Sequence, residues 1–291
     1  MIYVHKYEIL KILNILKINN LLMKENFKAD AYEKAIEKVL NDEEVTFKRP
    51  SKILDKIDEI EKTGTLKNYE NLLGPKYKLY EEFKKIFGVG EKKAIELAIK
   101  HNNFDEIEIE KLNRVQKLGL KYFNEIQTKI SKEIIKKHST KIKKLFKDQI
   151  KTQIVGSYRR SLGVTSKNEN LFNDLDILVV SNEPSLKNIF DKNNFLESFS
   201  FGDKKFSGLS KINNSIIRVD ILLTSPKEYP FALLYFTGPK AFNISMRHEA
   251  KSQGLLLNEH GLSGIDCDDE KDIFNALNLK YMTLKERDLM K

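Results

Sequence analysis

The chain has 291 residues, 41% of them hydrophobic, which is enough to fill ordinary cores and excludes a chain too polar to fold. A single cysteine excludes an internal disulfide framework and a cysteine zinc cluster, and fits a reducing, intracellular compartment. The net charge of +9 fits a polyanionic partner, and the excess is local: residues 72–150 carry 19 basic against 11 acidic side chains, whereas the counts on either side nearly balance.

In chain order, "MIYVHKYEILKILNILKINNLL" has apolar residues at helical spacing, interrupted by Lys6, Glu8, Lys11 and Lys17. An amphipathic helix is expected there rather than a signal peptide, and no transmembrane segment is expected anywhere. Helical patterns then alternate with the breakers "RPS", "TGT", "LGP" and "FGVGE" up to about residue 150. Beyond it come the short β-rich runs "TQIVG", "LDILVV" and "SIIRVDILLT". Helical spacing returns in "PFALLYFTGPKAFNISMRHEAKSQG", around a Thr-Gly-Pro break, before a looser tail. The expected fold is therefore multidomain α+β, with an all-helical front and a mixed back.

Within "LDILVV" and its approach, Asp174 and Asp176 are two residues apart. On a strand they project from one face, while Leu175, Ile177 and Val179 enter the core. Unpaired carboxylates are too costly to serve as core filler, so a strand end open to water, or a lysine partner, is the plain explanation. Asp220 in "RVDILL" adds a third carboxylate on a second apolar strand. Three such groups can hold two Mg²⁺ ions roughly 3.5–4 Å apart for phosphoryl transfer. Upstream, "VGSYRR" offers a glycine turn, a hydroxyl and arginines suited to phosphate. Only seven of the 51 basic residues are arginine, and Arg159, Arg160, Arg218 and Arg247 all fall in these stretches, where a planar fork of donors is useful.

A Gly-Ser turn, a D-x-D pair and a lone Asp on a later strand resemble the nucleotidyltransferase pattern. With "YFTGPKAFNISMR", "GLLLNE" and "LNRVQKLGLKYF" in order, the chain resembles the family X DNA polymerases, most nearly those of the DNA polymerase beta type, from about residue 10 to 288. The resemblance implies a helical lyase-like domain at 1–71, a helix-hairpin-helix domain at 72–128, a nucleotidyltransferase palm with a mixed or antiparallel sheet at 129–226, and a small α+β thumb-like domain at 227–291.

It further implies that Asp174, Asp176 and Asp220 hold two Mg²⁺ ions, with Mn²⁺ able to substitute. Gly156, Ser157 and Arg160 would bind the triphosphate of a dNTP. Tyr235, Phe236 and Gly238 would carry its sugar, and Asn243 would contact its base. Arg218 and Arg247 would contact DNA, Arg247 on the template strand. Gly88 and Gly90 in "FGVGEKKA" would form a hairpin gripping a DNA phosphate, with Na⁺ or K⁺ held beside it. Lys56 falls on the Schiff-base lysine of a 5′-deoxyribose-phosphate lyase, with Lys28, Tyr32 and Lys52 around it. A lysine attacks an aldehyde as the neutral amine, a form that a neighbouring cation favours, and Lys52 is one helical turn away. The implied partners are gapped or nicked DNA, a dNTP, and a ligase or other repair proteins, with the chain acting as a monomer.

Some positions depart from the family pattern. Phe27 and Asn68 replace a histidine and a lysine of the lyase site, and "FKRPSK" lacks the Gly-x-Gly of a first hairpin. The span from Ser161 to Asn173 is lengthened by the polar "TSKNEN". Leu222 replaces an arginine that would exchange partners as the fingers close, Glu259 is kept, His260 replaces the adjacent tyrosine, and Lys240 replaces an acid over the incoming base, which together lead us to expect lower base discrimination. Two rivals are template-independent terminal transfer, against which Asn243 and Arg247 speak, and a non-catalytic DNA-binding protein, against which the three aspartates speak.

Overall fold

The computed structural model describes residues 3–47, 51–146, 150–163 and 171–290. The chain divides into two compact units, Met1–Lys121 and Tyr122–Lys291. The candidate first hairpin at "FKRPSK" and the polar "TSKNEN" stretch fall largely outside the described residues.

The described residues of the first unit contain helices and no strands: α1 (Lys6–Leu22), α2 (Asn26–Leu40), α3 (Lys52–Thr63), α4 (Pro75–Lys84), α5 (Glu91–Lys100) and α6 (Arg114–Lys121). As its periodicity predicts, α1 buries Ile9, Ile12, Leu13, Leu16 and Ile18, and it packs with Tyr32 and Val39 of α2 and Ile57 and Ile60 of α3. The breakers become caps. The Ser51 hydroxyl accepts from the Leu54 amide at the start of α3, Gly64 ends that helix at φ 74°, and Pro75 opens α4. Gly88, at φ 85°, turns the chain before Gly90 caps α5. Gly119 of α6 packs so tightly on the Phe87 backbone that a Cβ would overlap its carbonyl.

The second unit begins with α7 (Phe123–Gln127) and α8 (Lys132–Lys143), followed by a sheet of order β1-β2-β5-β4-β3. Its strands are β1 (Lys151–Ile154), β2 (Leu175–Val180), β3 (Glu197–Phe201), β4 (Lys205–Ile212) and β5 (Ser215–Thr224), with α9 (Gly156–Ser161) between β1 and β2. Only β2 and β5 pair in parallel. The β-rich runs "TQIVG", "LDILVV" and "SIIRVDILLT" form β1, β2 and β5, and the sheet has two further strands, β3 and β4. Leu175, Ile177 and Val179 enter the main core, and Leu178 is equally buried on the opposite face against Val155 and Ala232, so β2 is covered on both sides.

The chain continues through α10 (Tyr229–Thr237) and α11 (Lys240–Ser252), broken at Gly238-Pro239, to a hairpin of β6 (Leu257–Asn258) and β7 (Gly261–Leu262). The tail expected to be loose instead forms α12 (Glu270–Ala276) and α13 (Leu284–Asp288), each opened by a capping box, Asp269 with Asp272 and Thr283 with Glu286. Phe231, Phe242, Ile273 and Phe274 form the core here. No helix among the described residues is long and apolar enough to cross a membrane.

Candidate active site

Parallel pairing of β2 and β5 sets Asp176 directly opposite Asp220. Asp174 lies one residue before β2 and shares the face of Asp176, so ligand oxygens of all three carboxylates come within 4.8 Å of one another. Asp220 is buried, and the other two are half-buried. An all-oxygen, all-anionic donor set of this kind suits a hard divalent cation such as Mg²⁺.

Gathering three acids has an electrostatic cost, visible at Asp176, whose carboxyl is pushed up to about 7 by its burial and then by the Asp220 charge. Lys205 and Arg160 offset part of that shift. The main counter-charge is Arg218, which points along the same face of β5 as Asp220, two residues on. Its Nη1 donates to Asp220 Oδ2 at 2.9 Å, and its Nη2 pairs with the Asp174 carboxylate. Arg218 thus spans the two outer carboxylates.

Gly156 opens α9 at φ 63°, and a Cβ there would overlap the Asp176 carboxylate, so glycine is required by both the backbone and the close approach. The Val155 amide donates to the Asp176 carbonyl at 3.0 Å, tying α9 to β2, and Ser157 is half-buried beside it. Arg160 is buried. Its Nε donates to Asp288 Oδ1 at 3.0 Å and its Nη1 to the Thr237 carbonyl at 2.8 Å. Arg159 makes two bonds to Glu270, of 3.0 and 2.7 Å, and donates to the Thr237 hydroxyl at 2.7 Å. Arg287, fully buried, donates to Glu270 at 2.7 Å and lies over the rings of Phe242, Phe274 and Tyr281. Burial pushes the Glu270 carboxyl up, but the two guanidiniums outweigh it and hold the group below the usual range.

Tyr235, Asn243 and Arg247 come together on α10 and α11. Asn243 Nδ2 donates to the Tyr235 carbonyl at 2.7 Å, and the Arg247 guanidinium lies 4.7 Å from the Tyr235 ring centre. Tyr235 meets Phe236 edge-on at 5.0 Å. At Gly238 a Cβ would strike the Phe242 ring and lie 2.7 Å from Asn243 Oδ1, so a bare backbone is needed. Glu259 pairs with Arg247 at 3.3 Å, while His260 Nδ1 is 3.0 Å from Glu228.

In the first unit a cavity of about 730 Å³ is lined by Phe27, Lys28, Tyr32, Lys52 and Lys56 together with Tyr77. Lys56 donates to the Tyr32 hydroxyl at 2.6 Å. Lys28 pairs with Glu25 at 2.8 Å, and Phe27 is 89% exposed at the rim. Asn68, at φ 59° and exposed, does not line this cavity. The Gly88 carbonyl accepts from Gln116 Nε2 at 3.1 Å, and Gly90 has open space around its Cα.

Sequence reasoning missed Thr237, Glu270, Arg287 and Asp288, which surround Arg159 and Arg160. A signal existed for one of them: Arg287 is among only seven arginines in a chain that otherwise uses lysine.

The similarity of the chain to known proteins agrees with this geometry. Residues 232–288 match the DNA polymerase beta thumb family. DNA polymerase lambda of Rattus norvegicus is 26% identical over 274 residues, covering 81% of this chain and 47% of that protein. DNA polymerase lambda of Arabidopsis thaliana is 26% identical over 278 residues, covering 81% and 51%. The Repair DNA polymerase X of African swine fever virus is 27% identical over 180 residues, covering 58% of this chain and 96% of the viral protein. The chain thus spans about half the length of the two lambda enzymes. With the motifs in order and matches of this extent, the chain is a relative of the family X DNA polymerases.

Proposed function

We propose that this chain is a DNA-directed DNA polymerase that fills short gaps of the kind left in base-excision repair. The observation that carries the reading is the face shared by Asp174, Asp176 and Asp220, with their ligand oxygens within 4.8 Å. Two Mg²⁺ ions held by these three carboxylates would stabilise charge on the phosphates and favour loss of the primer hydroxyl proton. The primer 3′-oxygen bonds to the α-phosphorus of the dNTP, the bond to the bridging oxygen breaks, and pyrophosphate leaves. Gly156, Ser157 and Arg160 hold the triphosphate, Tyr235, Phe236 and Gly238 carry the sugar, and Asn243 and Arg247 contact the base and the template. Arg218 balances Asp174 and Asp220 and faces the DNA.

In this reading residues 129–226 are the palm and 227–291 the thumb-like domain. Residues 72–128 grip the DNA backbone through Gly88 and Gly90, with a monovalent cation beside them. The substrate is gapped or nicked DNA, bound by a monomer that hands its product to a ligase. Single-nucleotide gap filling tests it: Asp220→Ala should abolish incorporation and leave gapped-DNA binding nearly intact. Absence of incorporation by the wild type would instead favour the non-catalytic binding protein, and extension without a template strand would favour terminal transfer.

A second activity, removal of a 5′-deoxyribose phosphate by residues 1–71, is favoured by Lys56 lying in a 730 Å³ cavity against Tyr32. The Lys56 amine condenses with the sugar aldehyde, releasing water. Loss of a C2 proton then expels the 3′-phosphate, and hydrolysis frees the lysine. Borohydride should trap a covalent adduct on wild type but not on Lys56→Ala, and equal trapping of both would reject the assignment.

A further inference from the structure

We propose that Asp288 is a positioning residue of the nucleotide site, holding Arg160 so that one of its guanidinium nitrogens is presented to a phosphate oxygen. The inference rests on the polymerase reading above and extends that site to α13, the last helix described.

Arg160 is only 8% exposed, so its charge must be satisfied locally. Two of its three nitrogens are engaged. Nε donates to Asp288 and Nη1 to the carbonyl of Thr237, a residue with no exposure at all. Nη2 makes no hydrogen bond among the described residues, nor is it among the fully buried atoms that lack a partner, so it is left for an oxyanion. The Val155 amide donates to the Asp176 carbonyl at 3.0 Å and Gly156 abuts the Asp176 carboxylate, so the helix that carries Arg160 starts beside the metal-ligand face. A guanidinium is a rigid planar fork, so fixing Nε and Nη1 also fixes the direction of the Nη2 donors.

The same contacts join the two parts of the nucleotide site. Thr237 immediately precedes Gly238, and its carbonyl accepts from Arg160 while its hydroxyl accepts from Arg159. The phosphate-side helix α9 and the sugar-side segment at the end of α10 are thereby held in one register, with Asp288 closing the arrangement from α13. Asp288 also has a competing effect, because its negative charge weakens the attraction of Arg160 for phosphate. Since Nε and Nη1 are both engaged and Nη2 is left over, orientation should outweigh that loss.

Single-nucleotide gap filling with Mg²⁺, at saturating gapped DNA, decides the sign. Asp288→Ala should raise the KM for the nucleotide about tenfold while kcat stays within about threefold, as loss of a charge-assisted ground-state contact requires. Asp288→Glu should recover part of the affinity, and Asp288→Ala should add nothing in an Arg160→Ala background. A merely structural role would lower the melting temperature and kcat and leave the nucleotide KM alone. Should the alanine variant fail to fold, Asp288→Asn, which keeps an oxygen acceptor for Nε, should show a smaller rise in KM. With an active wild type, an unchanged KM, or the lower KM expected if Asp288 competed with phosphate, overturns the proposal alone. A wild type that incorporates nothing removes the polymerase reading and this proposal together.

Discussion

Arg218 bridges Asp174 and Asp220, donating to Asp220 at 2.9 Å from Nη1 and pairing with Asp174 through Nη2. One strand therefore supplies both an acid of the cluster and the cation that neutralises it, two residues apart on one face.

Removing that cation should expose the repulsion among the three carboxylates. Arg218→Ala should destabilise the metal-free protein by about 2 kcal/mol, a drop of roughly 4–8 °C in melting temperature. Divalent cations should restore more stability to this variant than they add to wild type, since the carboxylates no longer have a guanidinium between them. Melting curves with and without Mg²⁺ check both, and an equal Mg²⁺ response in the two proteins would count against the bridging role.

Asp176 should make the metal-free protein prefer acid. Its carboxyl is raised from 3.8 to about 7, so the folded state binds the proton more tightly than the unfolded state does. The stabilisation is complete below the ordinary carboxylate range and is lost as pH rises through 7, with a span on the order of 4 kcal/mol. Asp176→Asn should match wild type near pH 4 and be the more stable protein at pH 8 without metal, while losing the response to Mg²⁺.

His138 should act in the opposite sense. It is buried on α8 with its ring nitrogens 2.9 Å from the Ser210 hydroxyl and 3.2 Å from that of Ser215, and burial pushes it down to about 4. A depressed folded value contributes stability that is present above the ordinary histidine range and is lost as pH falls towards 4, on the order of 3 kcal/mol. The two groups thus oppose each other across the same window. His138→Gln should leave stability falling from pH 4 to 7, and Asp176→Asn should leave it rising, in urea titrations at fixed pH.

Gly156→Ala should damage the site more than an exposed glycine replacement would. The new Cβ meets the Asp176 carboxylate and the residue must keep φ 63°, so both Asp176 and the start of α9 are displaced. Incorporation should fall at least about tenfold, as a small misplacement of reacting groups requires, with a melting temperature lowered by several degrees. Gly254→Ala, at φ 73° with open space around it, carries the same backbone strain without the clash and should keep near-normal incorporation.

Much of this was legible because it depends on short-range periodicity. The pairing of Asp174 with Asp176 follows from strand alternation, the helical front from its i, i+3, i+4 spacing, and the turns at Gly64, Gly88 and Gly156 from the backbone freedom that glycine alone has. The strands β3 and β4 escaped notice because "ESFSF" and "KFSGLSKI" mix serine and lysine with their apolar residues. The capped helices α12 and α13 escaped because each is too short to show a helical period.

Sequence by itself determined the kinds of group available: three carboxylates on apolar strands, a Gly-Ser turn, few arginines, and a lysine on a helix near Lys52. Tertiary structure alone decided which of them meet. Asp220 reaches Asp176 because β2 and β5 pair in one register, Lys56 reaches Tyr32 because α2 and α3 both pack on α1, and Arg160 reaches Asp288 although 128 positions separate them in the chain. Hydrogen bonds and ion pairs form between neighbours in space, and local propensity carries no record of which distant segment packing will bring alongside.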